Sequence, residues 1–475
     1  MTAAAMSVCA FPAGPVSAAA GARPDGGGVV SISCTSAGDC GAVGFLDFRG
    51  VTQPLVVSEK GGAWGGAGTV PGLSALPGGD RSAELGIVSC SSAGNCSAGG
   101  CYQVAGCPDN LPSQALVVTE RNGVWGRARA VPGLAALNTG RRASVDLMSC
   151  RTAGSCTAAG TYPGTRNPDE SAQVFVVSEK NGTWGRARPV PGLAAIDHDM
   201  ANDNALSCGS PGNCAIAGWY DNRAGYPEPY VASQKNGVWG RVRTFPAIAA
   251  VATQGAGIDT LSCRPRGDCT GTGTWYDAGG TPHVFAISQT HGTWGAARPI
   301  PGFPALPRGR VSLAAGISLS CPSARNCTLG GDYISNGDGD QLFVVTEKNG
   351  TWGRARALPG VAALSNVKMN LLTAIACFTG GNCTAVGEYS IRRKSGFTNT
   401  VFVTSEKNGT WGKPERMPGS AALGTNVAPE TLSCGATGDC SAGGIYSSRH
   451  GDQPFLATEE NGTWGNAEPV LAIQP

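Results

Sequence analysis

Two signatures recur with one period along this 475-residue chain, and together they restrict it to a repeat architecture. Cysteines separated by five residues occur as Cys34/Cys40, Cys90/Cys96, Cys150/Cys156, Cys208/Cys214, Cys263/Cys269, Cys321/Cys327, Cys377/Cys383 and Cys434/Cys440. From Cys34 to Cys434 there are seven steps across 400 residues, about 57 per step. An Asn-Gly-x-Trp-Gly sequence or a close variant places Trp64, Trp125, Trp184, Trp239, Trp294, Trp352, Trp411 and Trp464 at the same mean step. Units of this size are marginal alone, so stacking on neighbours is the expected source of their core, with a string of eight independent domains or a β-solenoid of longer-than-usual rungs as the alternatives.

Each unit parses into four short strands. The first ends in Ser-Cys, as in Asp146-Leu-Met-Ser-Cys150, and the second follows the second cysteine, as in Cys156-Thr-Ala-Ala-Gly-Thr-Tyr162. The third is an apolar run such as Val174-Phe-Val-Val-Ser-Glu179, and the fourth starts at the tryptophan, Trp184-Gly-Arg-Ala-Arg188. Asn181-Gly182 is the strongest two-residue hairpin signal, because both central residues take positive φ. That turn pairs Lys180 with Thr183, Glu179 with Trp184 and Val177 with Arg186. Small residues on both faces of each unit fit sheets packed face to face around an axis. The expected fold is therefore an all-β, eight-bladed β-propeller with four antiparallel strands per blade. Residues 1–28 form an N-terminal segment, and 29–475 form one propeller. Its blades fall at about 29–77, 85–137, 144–196, 203–250, 257–306, 315–364, 371–424 and 430–474. Phe11-Pro-Ala-Gly14 loosely echoes the linkers between units, such as Val190-Pro-Gly-Leu-Ala-Ala-Ile196.

The cysteine pattern sets the compartment. Structural zinc sites favour two to four intervening residues and need two pairs meeting in space. Eight dispersed pairs with five intervening residues instead predict eight local disulfides, each closing a short loop and contributing about 2–3 kcal/mol on loop-closure arithmetic. Cys101 and Cys107 repeat the spacing inside a variable segment and predict a ninth, which leaves Cys9 unassigned. Such bonds persist under oxidising conditions, so a secreted or cell-surface protein is expected, although the N-terminus shows no evident signal peptide. With 35 basic and 33 acidic side chains the net charge is +2, which gives no field for nucleic acid. No stretch approaches the ~20 apolar residues of a membrane span.

Ser178-Glu-Lys-Asn-Gly-Thr-Trp184 resembles a shortened Asp box, the Ser-x-Asp-x-Gly-x-Thr-Trp hairpin of sialidase-type propellers. The resemblance recurs in all eight units at the turn between strands three and four. It departs by one missing residue and by the missing aspartate. What it implies is the fold, because the Asp box is a structural element remote from a sialidase active site and brings no catalytic residue with it. The Phe/Tyr-Arg-Ile-Pro sequence that supplies a sialidase arginine is absent from the sequence, and sialidases have six blades. Eight-bladed quinoprotein dehydrogenases also carry a tryptophan in every blade, but their Thr-Gly docking motif and adjacent cysteines are not found.

In a propeller the strand one-two and three-four turns lie on one face, and the strand two-three loops and linkers lie on the other. The first set hardly varies among the repeats. The second changes completely, as in Asp221-Asn-Arg-Ala-Gly-Tyr226 and Ile391-Arg-Arg-Lys-Ser-Gly-Phe397. Diversity on a uniform frame is how loops host binding, so the variable face is the candidate recognition surface. Four residues before the first cysteine stand Asp146, Asn204, Asp259 and Glu430, expected to crowd the channel mouth on that face. Asp146, Asp259 and Glu430 could hold calcium through oxygen ligands, or could serve as acid and base. Tyr220 and Trp275 belong to a recurring aromatic position at the end of strand two, which suits packing or a ring of sugar platforms. The Arg-x-Arg pairs after the tryptophans, such as Arg186/Arg188, are expected on the outermost strand, stacked on the tryptophan and meeting the strand-three glutamate. Four histidines at unrelated repeat positions assemble no recognisable triad.

The expectation is an extracellular binding scaffold, monomeric, that recognises a glycan or a protein through the variable face. No cofactor is predicted beyond calcium. The alternatives are a carbohydrate-active hydrolase or lyase with carboxylates at the channel mouth, and a structural envelope component.

Overall fold

The computed structural model describes residues 24–470 apart from 78–81, 104–112, 139–141, 165–170, 266, 304–316, 336–338, 366–368 and 395. Eight antiparallel sheets follow one another along the chain, one per repeat, as the blades of an eight-bladed β-propeller. In blade 3 the strands are Leu147–Thr152, Ser155–Pro163 and Ala172–Lys180, followed by an outer strand in two pieces, Thr183–Trp184 and Arg188–Pro189. The first strands form the inner ring, each against the first strands of both neighbours. The first strand of blade 8 (Thr425–Ala436) meets that of blade 1 (Gly26–Ser36) and closes the ring.

Eight disulfides, one per blade, join the predicted partners: Cys34–Cys40, Cys90–Cys96, Cys150–Cys156, Cys208–Cys214, Cys263–Cys269, Cys321–Cys327, Cys377–Cys383 and Cys434–Cys440. Cys101 is also disulfide-bonded and is buried. Cys9 and Cys107 lie outside the described residues. The pairing is as expected. The sequence reading ends strand one at the first cysteine and writes strand two from the second cysteine onward. Strand two instead begins one residue before the second cysteine, at Asn95, Asn213, Asp268 and Asn326 in blades 2, 4, 5 and 6. Cys96, Cys214, Cys269 and Cys327 are therefore strand residues, and with Cys40, Cys156, Cys383 and Cys440 they are only 2–7 % exposed. The reason is that paired strands continue past the cysteines to a tight turn, so Cys90 stands opposite Cys96, Cys208 opposite Cys214 and Cys263 opposite Cys269. The neighbouring blade then covers the bond, as where the Thr157 hydroxyl lies 3.4 Å from Cys214 Sγ. These cysteines are frame and offer a ligand no contact.

The hairpin asparagine and glycine have the expected positive φ, 51° at Asn181 and 74° at Gly182. The Gly182 amide donates to the Gly154 carbonyl of the strand one-two turn at 2.9 Å, and the same tie recurs in all eight blades. One face of the ring is thus made of locked turns, which explains why their sequence does not vary.

The outer strand departs from the register read from sequence. Glu179 opposes Trp184 and Lys180 opposes Thr183, as expected. After Gly185 the chain leaves the sheet and returns one residue out of step, with Val176 opposite Arg188, so Val177 does not pair with Arg186. The reason is tertiary. The Ala187 amide turns to the Pro132 carbonyl of the preceding linker at 2.7 Å, and Ala128, Val242, Ala355 and Ala467 do the same with Pro71, Pro191, Pro301 and Pro418.

Polar stitches explain other recurring residues. A serine precedes the first cysteine in seven blades, with Ala376 there in blade 7, and it accepts the cysteine amide of the next blade: Ser33 from Cys90, Ser89 from Cys150, Ser149 from Cys208 and Ser207 from Cys263, at 2.9–3.1 Å. Ser433 accepts the Cys34 amide across the seam between blades 8 and 1 at 2.9 Å. The strand-three glutamate is not on the outer surface, as the Arg-x-Arg reading required. Glu179 is 3 % exposed and accepts hydrogen bonds from Thr119 and Ser97 of blade 2, at 3.2 and 3.4 Å. Gln234 and Gln289 occupy the same position and donate to Ser178 and Ser233. Apolar cores lie between blades rather than within them. One such cluster packs Val117 and Leu134 of blade 2 and its linker against Val145, Phe175 and Trp184 of blade 3. Full burial of Phe175, Phe285, Phe343, Phe402 and Phe455 contributes about 2–3 kcal/mol each.

Candidate functional site

The residues four before the first cysteine owe their position to a β-bulge. In six blades the first strand skips register around one residue: Val30, Gly86, Asn204, Asp259, Thr373 and Glu430. A bulged residue is unpaired and its side chain is re-aimed. Asp146 occupies the same place in blade 3, just before Leu147, with its amide donating to the Ala159 carbonyl. Asp146 and Glu430 are exposed although their strands are innermost, so they face the central channel. Glu430, like Asn204 and Asp259, stands partway along its strand, whereas Asp146 directly precedes its strand.

Each carboxylate there has its own surroundings. Asp146 accepts hydrogen bonds from the Thr161 amide and hydroxyl, at 3.2 and 3.4 Å, and from the Ser144 hydroxyl. Its place deep in the ring still raises its pKa. Asp259 is bound the same way by Thr274, and burial pushes it to about 7, with Oδ2 lacking any partner. Burial raises Glu430, which lies beside Glu388. The Asn204 amide is turned to the Ile258 carbonyl at 3.1 Å. Asp146, Asp259 and Glu430 therefore belong to three separate stations on the ring. Among the described residues, three possible ligand atoms come within 4.8 Å only at Cys34, Cys40 and Glu59, whose sulfurs are joined to each other.

Blade 4 carries an unrepeated polar cluster that sequence reasoning missed. Asp203 fills a slot that holds Val29, Leu85, Val145, Ile258 and Leu372 in other blades, and it is 6 % exposed. Neither of its carboxylate oxygens has a hydrogen-bond partner on another residue. Burial first, and the nearby charge of Asp146 second, push its pKa well up. Tyr230 replaces the core phenylalanine of five other blades and donates its hydroxyl to the Asn202 carbonyl at 3.1 Å. Aligning the repeats on their first cysteine singles out Asp203 as the one aspartate in an apolar column, and that was the signal available. At the far end of the channel, next to the first cysteines, stand Arg151 and Arg264, near enough that Arg151 helps lower the pKa of Arg264. Burial raises the carboxyl groups of this part of the ring, and Asp259, at about 7, can hold a proton for a ligand oxygen near neutral pH.

The loop face carries a second set of groups. Tyr226 is 47 % exposed at the tip of a turn held by its amide on Asn222 Oδ1, at 3.2 Å. Asn222 and Tyr220 both bond Glu228, at 2.8 and 2.6 Å. Tyr220 itself is buried, like Tyr102, Tyr162, Tyr333, Tyr389 and Tyr446, so the recurring aromatic position is mainly core. Trp275 differs. It stacks on His283 with centroids 4.0 Å apart, and His283 Nε2 lies 3.0 Å from Asp277 Oδ2. That contact, with the Thr281 and Gly279 amides, holds Asp277 at about 2. Beside His283 a groove of about 430 Å³ runs along Ile300, Phe303 and Arg354. In blade 7, Phe397 is 59 % exposed beneath the Arg392 guanidinium, 5.6 Å from its centroid.

Fold and site together define a disulfide-stitched eight-bladed propeller with an acidic channel and an aromatic-bearing loop face. No family model matches the chain, and no curated protein resembles it in sequence. Solved structures similar to it include the Trypanosoma rangeli sialidase, at 11 % identity over 66 % of this chain and 52 % of that one, TM-score 0.37. A post-proline cleaving enzyme from Rickettsia typhi matches at 9 % identity over 89 % and 57 %, TM-score 0.44. A PL25 ulvan lyase matches at 10 % over 67 % and 81 %, TM-score 0.41. The chain spans about half the length of the first two, and no conclusion about activity rests on likenesses of this size.

Proposed function

We propose that this protein is an extracellular binding propeller that captures a glycan on its loop face, over blades 4 to 7. The observation that carries the reading is the placement of exposed apolar side chains. Tyr226, Val251, Ile334, Met369 and Phe397 are 38–59 % exposed and stand in a strand two-three loop, in linkers, or at the ends of strands two and three of those four blades, while the exposed Val124, Val238 and Phe378 stand by the turns of the opposite face. Tyr226, Trp275 and Phe397 each combine an aromatic ring with neighbouring amide, carboxylate or guanidinium groups, the pairing that sugar recognition needs: an apolar face for the ring and polar groups for the hydroxyls. The Asp-box-like hairpins sit on the opposite, locked face and act as frame. Eight disulfides support the extracellular assignment.

A glycan array probed with the oxidised full chain tests this. Retention of a defined sugar class is expected, with at least about tenfold weaker binding for Trp275→Ala and Phe397→Ala and unchanged binding for Val124→Ala on the other face. A silent array sinks the glycan reading and directs attention to protein partners. A hydrolase or lyase is the second reading, favoured by one observation, the buried Asp203 close enough to the channel-facing Asp146 to feel its charge. Turnover of a retained glycan that is lost in Asp203→Asn would establish it.

A further inference from the structure

The residue after each first cysteine stands on the innermost strand, at the end of the channel beside the locked turns. It is an arginine in blades 3 and 5, Arg151 and Arg264, and Thr35, Ser91, Gly209, Pro322, Phe378 and Gly435 elsewhere. Two arginines therefore flank blade 4, and blade 4 puts a glycine between them. A Cβ on Gly209 would come 2.1 Å from the Arg264 carbonyl oxygen, so blades 4 and 5 meet backbone to backbone here. No side chain of blade 4 at this position separates the two arginines. Arg151 is skipped by the strand ladder, which runs from Cys150–Cys156 directly to Thr152–Ser155, and it is exposed. Arg264 is half-buried.

The fold uses neither guanidinium for itself. Among the described residues, no carboxylate lies within ion-pair distance of either one and no group hydrogen-bonds to them. Arg264 Nε is buried without a partner. Asp268 stands opposite Arg264 in the ladder, but its Oδ1 accepts the His291 amide of the locked hairpin at 3.0 Å. Asp39 and Asp439, at the same place in blades 1 and 8, are likewise turned to the amides of Gly61 and Asn461. The channel carboxylates Asp146 and Asp259 stand five residues earlier, roughly 15 Å away along an extended strand. Burial lowers the pKa of both arginines, and Arg151 lowers that of Arg264 further, so the two charges feel each other with nothing between to offset them. Like charges held together in a channel repel, and an oxyanion seated between them removes that cost. The planar fork of arginine matches the edge of such an anion.

We propose that Arg151 and Arg264 form a binding site for a doubly charged oxyanion, a sulfate or phosphate group, at the locked end of the channel. Two guanidiniums match the charge of one such group, and a singly charged carboxylate leaves one of them uncompensated. The site lies at the opposite end of the channel from the loop face, so it stands or falls independently of glycan capture there.

The test is titration calorimetry of the full oxidised chain with sulfate, inorganic phosphate and glucuronate, in a chloride buffer of low ionic strength at pH 8, where phosphate is doubly charged. One saturable site is expected for sulfate and for phosphate, with glucuronate weaker. Arg151→Gln and Arg264→Gln are each expected to weaken binding at least about tenfold, and Arg129→Gln on the outer strand to leave it unchanged. Sulfate at about a hundred times its Kd should raise Tm of the unsubstituted chain by about 2–5 °C more than that of either variant. The general stabilising effect of sulfate is common to all three and drops out of that difference. In chloride alone, Arg151→Gln should melt no lower than the unsubstituted chain, because it relieves a repulsion. Absence of saturable binding by both dianions overturns the proposal, as does binding that neither variant weakens. Glucuronate held as tightly as sulfate overturns the assignment to a doubly charged group. A lower Tm for Arg151→Gln in chloride alone would mean that the fold itself needs the guanidinium, and also overturns it. Arg151 is exposed, so its variant decides the matter even if Arg264→Gln fails to fold.

Discussion

Glu59 in the first blade accepts a hydrogen bond from Thr458 in the last, at 3.1 Å, and its other oxygen accepts one from Ser441 at 3.3 Å. The same position around the ring is taken by buried glutamates at Glu120, Glu179, Glu347, Glu406 and Glu459, and by Gln234 and Gln289. A ring of carboxylates inside blade seams ties stability to pH. Burial raises the pKa of all six, against weaker lowering by the hydroxyl hydrogen bonds at Glu59, Glu179 and Glu459.

A raised folded-state pKa means that the folded form keeps protons the unfolded chain has already released. Stability from these groups is fully present below the unfolded value of 4.5 and is lost as pH rises through the folded values. Tm is therefore expected to fall from about pH 5 toward pH 8, with Asp259, at about 7, adding to the loss. Calorimetry across that range checks this, and a Tm that climbs toward pH 8 refutes it.

Gln234 and Gln289 show that the seam accepts the neutral isostere. Glu179→Gln is expected to raise stability at pH 8 and to change it less at pH 4, where more of the raised glutamate is protonated and so already neutral. Urea unfolding at the two pH values measures the difference. A uniform loss at both would show that the carboxylate is needed as an acceptor.

Asp203 places an unpaired carboxyl where five other blades bury an aliphatic side chain. Asp203→Val is expected to stabilise the protein by about 1–3 kcal/mol at neutral pH, by removing an unsatisfied polar group and filling the slot. A gain in Tm with loss of ligand retention would mark the aspartate as kept for function at the expense of stability.

Ser149 takes the amide of Cys208 across the seam between blades 3 and 4 at 3.1 Å. Ser149→Ala leaves that amide without its acceptor and should cost about 1–3 kcal/mol in urea unfolding. Reduction of the disulfides, each worth about 2–3 kcal/mol, should cost far more and unfold the ring at room temperature, which circular dichroism in dithiothreitol would report.

The repeat period, the Asn-Gly turn and the cysteine spacing were legible because they are local: positive φ at Asn181 and Gly182 and the Cys150–Cys156 bond each depend on a handful of neighbouring residues. The hairpin register was legible as far as Trp184 for the same reason. It failed at Arg186, where a carbonyl from the preceding linker captures the Ala187 amide, a partner more than fifty residues away. Glu179 was misplaced for a related reason. Strand alternation says which face a side chain takes, but not that hydroxyls of blade 2 wait on that face. The burial of Cys214 has the same origin, since Thr157 of the preceding blade covers it. The column containing Asp146 and Asp259 was identified by counting from the cysteines, whereas the bulge that turns it into the channel depends on pairing between strands.

The number of blades, the strand order, the disulfide partners and the split between a uniform and a variable face can be read from the amino acids, because each follows from short-range spacing repeated eight times. Tertiary structure alone decided which carboxylates are neighbours, which tyrosines are buried and which aromatic rings reach solvent. Those properties arise where one blade meets the next, from desolvation and from contacts between residues about 57 positions apart, which no local pattern specifies.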